Sequence, residues 1–433
     1  MTSAIILLAV TALCGNPKGD PAAVVGYIRE SMPLTVRTNV SNEATLIAVP
    51  KPYTVSCISG MFREMYYWGE YFNNLALLRL GSVEQARNNV DDVAYLIDWF
   101  GFMPNGNRTY YLTRSQPPFF TLMVGDVYEK TGDKAWLGRM YDLAGREWTF
   151  WQTRRMTPSG LNRYSGRFPD DESRRRWGRS FCSRVQAPMP ADDAALARYG
   201  ECFMAYAESG WDCSSRFRYN AQDANWLCLN SLLYGMEMDM ARFSDILGRG
   251  ESSLWRERAD RRKRIMNELM WDEGRGAFCD YDFVRKEKSD FLSVAAFYPL
   301  FVGLATPEQA KRTLARLPEL ECTYGVASCE NRNLQELQWD YPHGWPPLQQ
   351  IVVRGLLRYG YAEDARRIAR KYCTVVEKVF GETGRLWEKY DVVAGKVSVN
   401  KEYKSPWLLG WTAGAYMDCL EVAGSERPGV AEK

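Results

Sequence analysis

The stretch ESGWDCSSR, residues 208–216, sets two carboxylates around a glycine and a tryptophan. Asp212 is either a solvated loop carboxylate or one held beside the apolar ring of Trp211. In the second case burial of its charge would let it keep a proton and act as a general acid. The chain has a single histidine, His343. Ser-His-Asp and Cys-His centres need a histidine base, and zinc sites usually draw on one or more histidines, so any catalysis here falls to carboxylates. The 11 cysteines are an odd number without a CxxC pair and read as buried free thiols, not as a disulfide framework.

Other stretches share the same vocabulary. GMFREMYYWGEYF (60–72), PNGNRTYYLTRSQPPFF (104–120), LNRYSGRFPDDESRRRW (161–177), QWDYPHGWPPLQ (338–349) and WEKYD (387–391) each mix carboxylates, arginines, amides and aromatics. That mixture suits an uncharged, hydroxyl-dense ligand. Arginine, amide and carboxylate groups satisfy hydroxyls in pairs, while tryptophan and tyrosine cover apolar ring faces. Any one of these stretches is equally a solvated loop, and the run Arg174 to Arg176 reads as a solvated face. Six together favour a site.

On these residues the chain resembles the trehalase family of glycoside hydrolases. FREMYYWGEYF is similar to the family's first signature and QWDYPHGWPPLQ to its second, with RSQPP, ESGWD and WEKYDV in the expected order between residues 45 and 420. The resemblance implies an all-α (α/α)6 toroid and inverting hydrolysis of an α-glucoside, α,α-trehalose above all, without metal or organic cofactor. It implies Asp212 as general acid and Glu388 as general base, with Glu402 in KEYKSPWLLGWTAG the competing base. Lys389 beside Glu388 would help keep that carboxylate charged. Implied substrate contacts are Phe62, Trp68, Asn105, Arg114, Gln116, Arg167, Glu172, Gly210, Trp339, Asp340, Trp345 and Glu402. For His343 a hydrogen-bonding loop role is expected.

Two departures bear on the substrate. Met61 stands where the family carries a sugar-binding arginine, and Gly69 where it carries an aspartate. The same machinery acting on another small α-glycoside, and a degenerate sugar-binding toroid, are the alternatives to trehalose hydrolysis.

The elements that must position these residues are helices. PPFFTLMVGDVYEKTGDKAWLGRMYDLAGREW breaks at Thr131-Gly132-Asp133 between two apolar-periodic segments. FLSVAAFYPLFVGLATPEQAKRTLARL repeats the phrase, with Thr306, Pro307 and Gln309 forming a capping box. Residues 346–380 break at Gly360-Tyr361, and ANWLCLNSLLYG leads into ESSLWRERADRRKRIMNELMW. A further capping box is expected from Ser82 to Gln85. Polar loops are expected over 53–72, 101–118, 158–220, 322–347 and 381–411. Helical hairpins alternating with long loops imply a closed ring with its loops gathered at one end.

One catalytic domain is expected over residues 21–425, with a tail at 426–433. The apolar run Ala4–Cys14 has the length of a signal-peptide core, which favours a periplasmic or secreted protein, and a first core helix in a cytoplasmic protein is the alternative. It is too short to span a bilayer. Lys+Arg 55 against Asp+Glu 53 argues against nucleic acid or an anionic membrane as partner. A monomer acting on a small disaccharide or glycoside is expected.

Overall fold

The structure is a computed structural model that describes residues 19–333, 337–399, 404–407 and 409–424. In chain order its helices are α1 (Pro21–Ser31), α2 (Tyr67–Arg79), α3 (Val83–Phe100), α4 (Phe120–Thr131), α5 (Lys134–Arg154), α6 (Asp171–Val185) and α7 (Asp193–Ser209). They continue as α8 (Leu227–Leu247), α9 (Ser252–Leu269), α10 (Tyr298–Phe301), α11 (Pro307–Leu314), α12 (Pro346–Arg358), α13 (Ala362–Thr383) and α14 (Gly410–Gly424).

Helices α2, α4, α8, α10, α12 and α14 each pack on the next, and α14 returns to α2, which closes an inner ring. The outer partners α3, α5, α9 and α13 lie against it, giving the (α/α)6 toroid. Burial follows from composition. In α13, Ala365, Ile368, Ala369, Tyr372, Val375, Val376 and Val379 are buried at helical spacing, as befits a helix with one wet face. In α14, Thr412 to Ala415 are buried in succession, because an inner helix meets protein on all sides. The seam between α2 and α14 is close. A Cβ on Gly414 would lie 1.9 Å from the Phe72 carbonyl oxygen, so no larger residue fits there.

Most of the expected helical breaks hold. Gly132 is left-handed (φ 63°) and Asp133 accepts from the Trp136 amide. The break at Gly360 separates α12 from α13. The apolar segment before Thr306 is shorter than expected: a 3-10 turn over Val294–Phe297 runs into the single turn of α10. The larger correction is at 158–220, expected as a loop. It contains the helical pair α6 and α7, capped by Asp170 on the Ser173 amide and Asp192 on the Ala195 amide. Its arginine-rich exposed face hid the period. Gly178 and Gly200 let the two helices touch through backbone, a Cβ on either lying 2.0 Å from the partner's carbonyl.

No disulfide joins the ten cysteines among the described residues, and nine of them are buried. No described helix is long and apolar enough to cross a membrane. Ala4–Cys14 and the 426–433 tail lie outside the described residues.

The two expected capping boxes part company. Thr306 accepts from the Gln309 amide at 3.2 Å, and Gln309 Oε1 accepts from the Thr306 amide at 2.9 Å. Ser82 makes no side-chain cap bond, and Gln85 donates instead to the Pro52 carbonyl at 2.8 Å. Thr306→Ala should therefore lower unfolding stability by about 1 kcal/mol. Ser82→Ala should change it by less than about 0.5 kcal/mol. Urea midpoints of the two variants check this, and equal losses would contradict it.

Candidate active site

A cavity of about 150 Å³ opens where the amino ends of three inner helices meet. Tyr66 caps α2, Trp345 caps α12, and Trp411 lies in the first turn of α14; all three line it. Helix amino ends contribute partial positive charge to the space they face.

Tryptophans make the wall. Trp339 stacks on Trp345 with ring centroids 3.8 Å apart and planes 2° from parallel. Trp411 meets Trp345 edge-on at 5.6 Å and Trp68 at 5.7 Å. Such flat faces suit the C–H side of a pyranose ring. Trp211 does not line the cavity. It stacks behind Trp339 at 5.3 Å, with the Arg216 guanidinium 4.8 Å from its own ring centre. The expected shielding of Asp212 by Trp211 is thus not what the packing provides.

Asp212 lines the cavity with 35% of its side chain exposed, and its Oδ2 lies 3.6 Å from Arg184 of α6. Its position is fixed from below. Gly210 takes the left-handed conformation (φ 71°) that ends α7, and a Cβ there would come within 3.0 Å of the Trp68 ring. Both constraints require glycine. Asp340, expected as a sugar contact, lies outside the cavity wall. Its carboxylate accepts from the Ser215 amide (2.8 Å), the Ser215 hydroxyl (2.6 Å) and the Ser214 hydroxyl (3.1 Å). Burial pushes that carboxyl above its ordinary range, opposed by these donors. Asp340 therefore anchors the segment that carries Asp212.

Glu388 lines the same cavity and is 1% exposed. Lys389 is wholly buried, with Nζ 2.6 Å from Glu388 Oε2 and 4.6 Å from the Trp345 ring centre. The two neighbours do point the same way. The Glu388 carbonyl accepts from Trp411 Nε1 at 2.9 Å, which ties this segment to α14. His343 pairs with Asp391 in a short antiparallel ladder, and its Nδ1 meets the Ser398 hydroxyl. Burial, aided by Lys389, lowers its imidazole to about 4, so it is neutral at pH 7 and serves as the hydrogen-bonding residue expected.

Of the expected substrate contacts, Phe62, Trp68, Asn105, Arg114, Gln116, Gly210, Trp339 and Trp345 line this cavity. Arg114 stacks between Tyr111 (5.0 Å) and Trp177 of α6 (5.1 Å), and its buried Nε has no hydrogen-bond partner. Burial lowers its guanidinium from the usual value. Asn105 spends its side-chain amide on the Ser115 and Ala207 carbonyls. Gln116 Oε1 accepts from the Trp68 amide.

Two expected contacts are not brought here. Arg167 faces a separate hollow, and Glu172 is exposed on α6, paired with Arg175 and Arg179. A glutamate three and seven positions from arginines on one helix finds them before it finds a cleft. Glu402 lies outside the described residues.

The sequence reading missed Ser56, Tyr66, Tyr111, Gln338 and Trp411. All lie in or beside stretches already singled out, but nothing in a loop's sequence says which side chains turn inward. Gln338 Oε1 is buried without a partner. No group of three or more metal-binding side chains occurs among the described residues.

Comparison with known proteins follows the same lines. The sequence model of the trehalase family matches residues 22–424. The periplasmic trehalase of Xanthomonas campestris is 34% identical over 416 residues, covering 92% of this chain and 72% of the relative. That of Pseudomonas aeruginosa is 33% identical over 432 residues, covering 94% and 78%. The solved neutral trehalase Nth1 of Saccharomyces cerevisiae superposes with a TM-score of 0.73 at 28% identity, covering 94% of this chain and 80% of that one.

One buried carboxylate ties these pieces together. Glu208, fully buried at the end of α7, accepts from the Ser115 amide (2.8 Å) and the Ser165 amide (2.7 Å). It also takes two bonds of 2.7 Å from Arg155. It thereby fixes the loop bearing Arg114 and Gln116 to the helix end that delivers Asp212. Glu208→Gln would leave the Arg155 charge buried without its counter-ion, and should cost about 3–5 kcal/mol. Chemical denaturation reads the loss; an unchanged midpoint would show that the pair carries no such strain.

Proposed function

The chain belongs to the trehalase family of glycoside hydrolases, and from that premise we propose that it hydrolyses α,α-trehalose to two molecules of glucose by a single inverting displacement. The observation that carries the reading is that Asp212 and Glu388 face one tryptophan-walled cavity. Inversion needs two carboxyls about 6.5–9.5 Å apart, one to protonate the leaving oxygen and one to activate water on the far face of the ring. Asp212 takes the first role. It is the more open of the two, with 35% of its side chain exposed against 1% for Glu388. Glu388 takes the second: it is the buried member of the two, held in place by its ion pair with Lys389.

The donor and acceptor roles follow from the walls. Arg114 has an unspent Nε–H and Gln338 an unspent amide oxygen, a donor and an acceptor for adjacent sugar hydroxyls. Trp339, Trp345 and Trp68 cover the ring face. A pure binding module would have no use for the acid–base pair, which argues against the degenerate alternative. The periplasmic relatives, together with the apolar run Ala4–Cys14, support a periplasmic location.

Proton NMR of trehalose with the purified protein tests the reaction. Equal early appearance of α- and β-glucose is expected, because inversion converts one ring and releases the other unchanged. Asp212→Asn and Glu388→Gln should each lower kcat by about 10²–10⁴-fold with the fold intact. Full turnover by either variant would overturn its assignment.

A second reading, the same chemistry on another small α-glycoside, is favoured by one observation. A Cβ on Gly69 would sit at ordinary contact distance from Ser56 Oγ (3.6 Å) and Tyr66 Cβ (3.7 Å), so packing at this point of the wall does not itself require glycine. Met61 is 49% exposed and makes no part of the wall. If Met61 and Gly69 retune the site for a different sugar, Met61→Arg/Gly69→Asp should raise kcat/KM for trehalose by about tenfold or more. Each restored charge-assisted bond is worth about 1.5–3 kcal/mol. No gain would remove this reading.

A further inference from the structure

A second hollow, of about 370 Å³, lies on the other side of the loop that carries Arg114. Leu112 and Thr113 face this hollow, whereas Tyr111 and Arg114 face the catalytic cavity. The Arg167 amide donates to the Thr113 carbonyl at 2.9 Å, which fixes the partition between the two.

The walls have one sign of charge. Arg146, Arg154, Arg155 and Arg167 line the hollow, and no carboxylate does. Arg155 is held by Glu208 from behind and Arg146 pairs with Asp98 at the rim. Neither Arg154 nor Arg167 makes an ion pair with a described residue, and both are exposed. Their two charges outweigh the roughly half negative charge that the carboxyl end of α5 contributes. Arg155 uses three of its N–H groups, two on Glu208 and one on the Arg154 carbonyl. A guanidinium has five.

The remaining walls are flat or hydroxylated. Phe102 stacks on Phe150 with centroids 4.5 Å apart and planes 12° from parallel, and both rings are only partly buried. Thr149 and Thr153 stand along the same face of α5.

We propose that this hollow is a binding site for a small phosphorylated organic molecule with a flat apolar face. The phosphate is held by the guanidiniums of Arg154 and Arg167, and the ring lies against Phe102. A phosphate is favoured over a carboxylate because guanidiniums reach the hollow from two separate segments. Three acceptor oxygens and nearly two charges can engage both, whereas one carboxylate is saturated by one guanidinium. The site is independent of the proposed hydrolysis.

Isothermal titration of the full chain with phenyl phosphate, inorganic phosphate and benzoate tests it. Phenyl phosphate should bind one-to-one, at least about tenfold more tightly than inorganic phosphate or benzoate, a difference of about 1.4 kcal/mol. Arg154→Gln/Arg167→Gln should weaken phenyl phosphate by at least about tenfold, a loss in line with two charge-assisted bonds. Phe102→Ala should weaken phenyl phosphate but leave inorganic phosphate unchanged. Both arginines are exposed, so circular dichroism should show the double variant folded. Absence of saturable binding, or equal binding by that folded variant, would overturn the site. Benzoate binding as tightly as phenyl phosphate would overturn the phosphate assignment.

Discussion

The ring has to close, and it closes where α14 meets α2. Gly414 lies so near the Phe72 carbonyl that backbone touches backbone. Asp418 on α14 then collects Arg79 from α2 and both Arg354 and Gln350 from α12. These bonds from the two arginines and Gln350 hold its carboxyl below the usual range despite its burial. Three inner helices, far apart in the chain, are locked at that one carboxylate. The amides of Leu409 and Gly410 complete the seam by donating to the Ser56 carbonyl. Without that closure Trp68 and Trp411, from opposite ends of the chain, would not share a wall.

The cavity inherits its geometry from this seam and from a few buried carboxylates that touch no cavity space. Glu208 and Asp340 each spend nearly all their acceptor capacity on loop amides, hydroxyls and, for Glu208, an arginine. Burying such groups is costly unless every lone pair is satisfied, so each fixes the several segments that satisfy it. A loop held at both ends by such bonds loses little further freedom when ligand arrives, which is the physical content of preorganisation. Glu388 and Lys389 repeat the logic inside the cavity itself, as a buried ion pair with one member turned to the ligand space.

The pair α6 and α7 shows how an element outside the inner ring shapes the site. Trp177 of α6 covers the Arg114 guanidinium, and Arg184 reaches Asp212, while α7 ends in the turn that presents that same aspartate. The pair is held by backbone contact at Gly178 and Gly200.

The sequence by itself determined the helical hairpins, the breaks at Gly132 and Gly360, and the capping box at Thr306. These are local matters: a helix repeats every 3.6 residues, and a cap is decided within four positions. It also marked the stretches that build the cavity, through their composition and order. Tertiary structure alone decided the facing of individual loop residues. Trp211 turned away from Asp212 to stack on Trp339, Asp340 became an anchor, and Arg167 came to line a different hollow. Gln338 and Trp411 turned inward unannounced. Loop side chains have no period, and their direction is set by which distant amide, hydroxyl or ring satisfies them, a choice that exists only once the ring has closed.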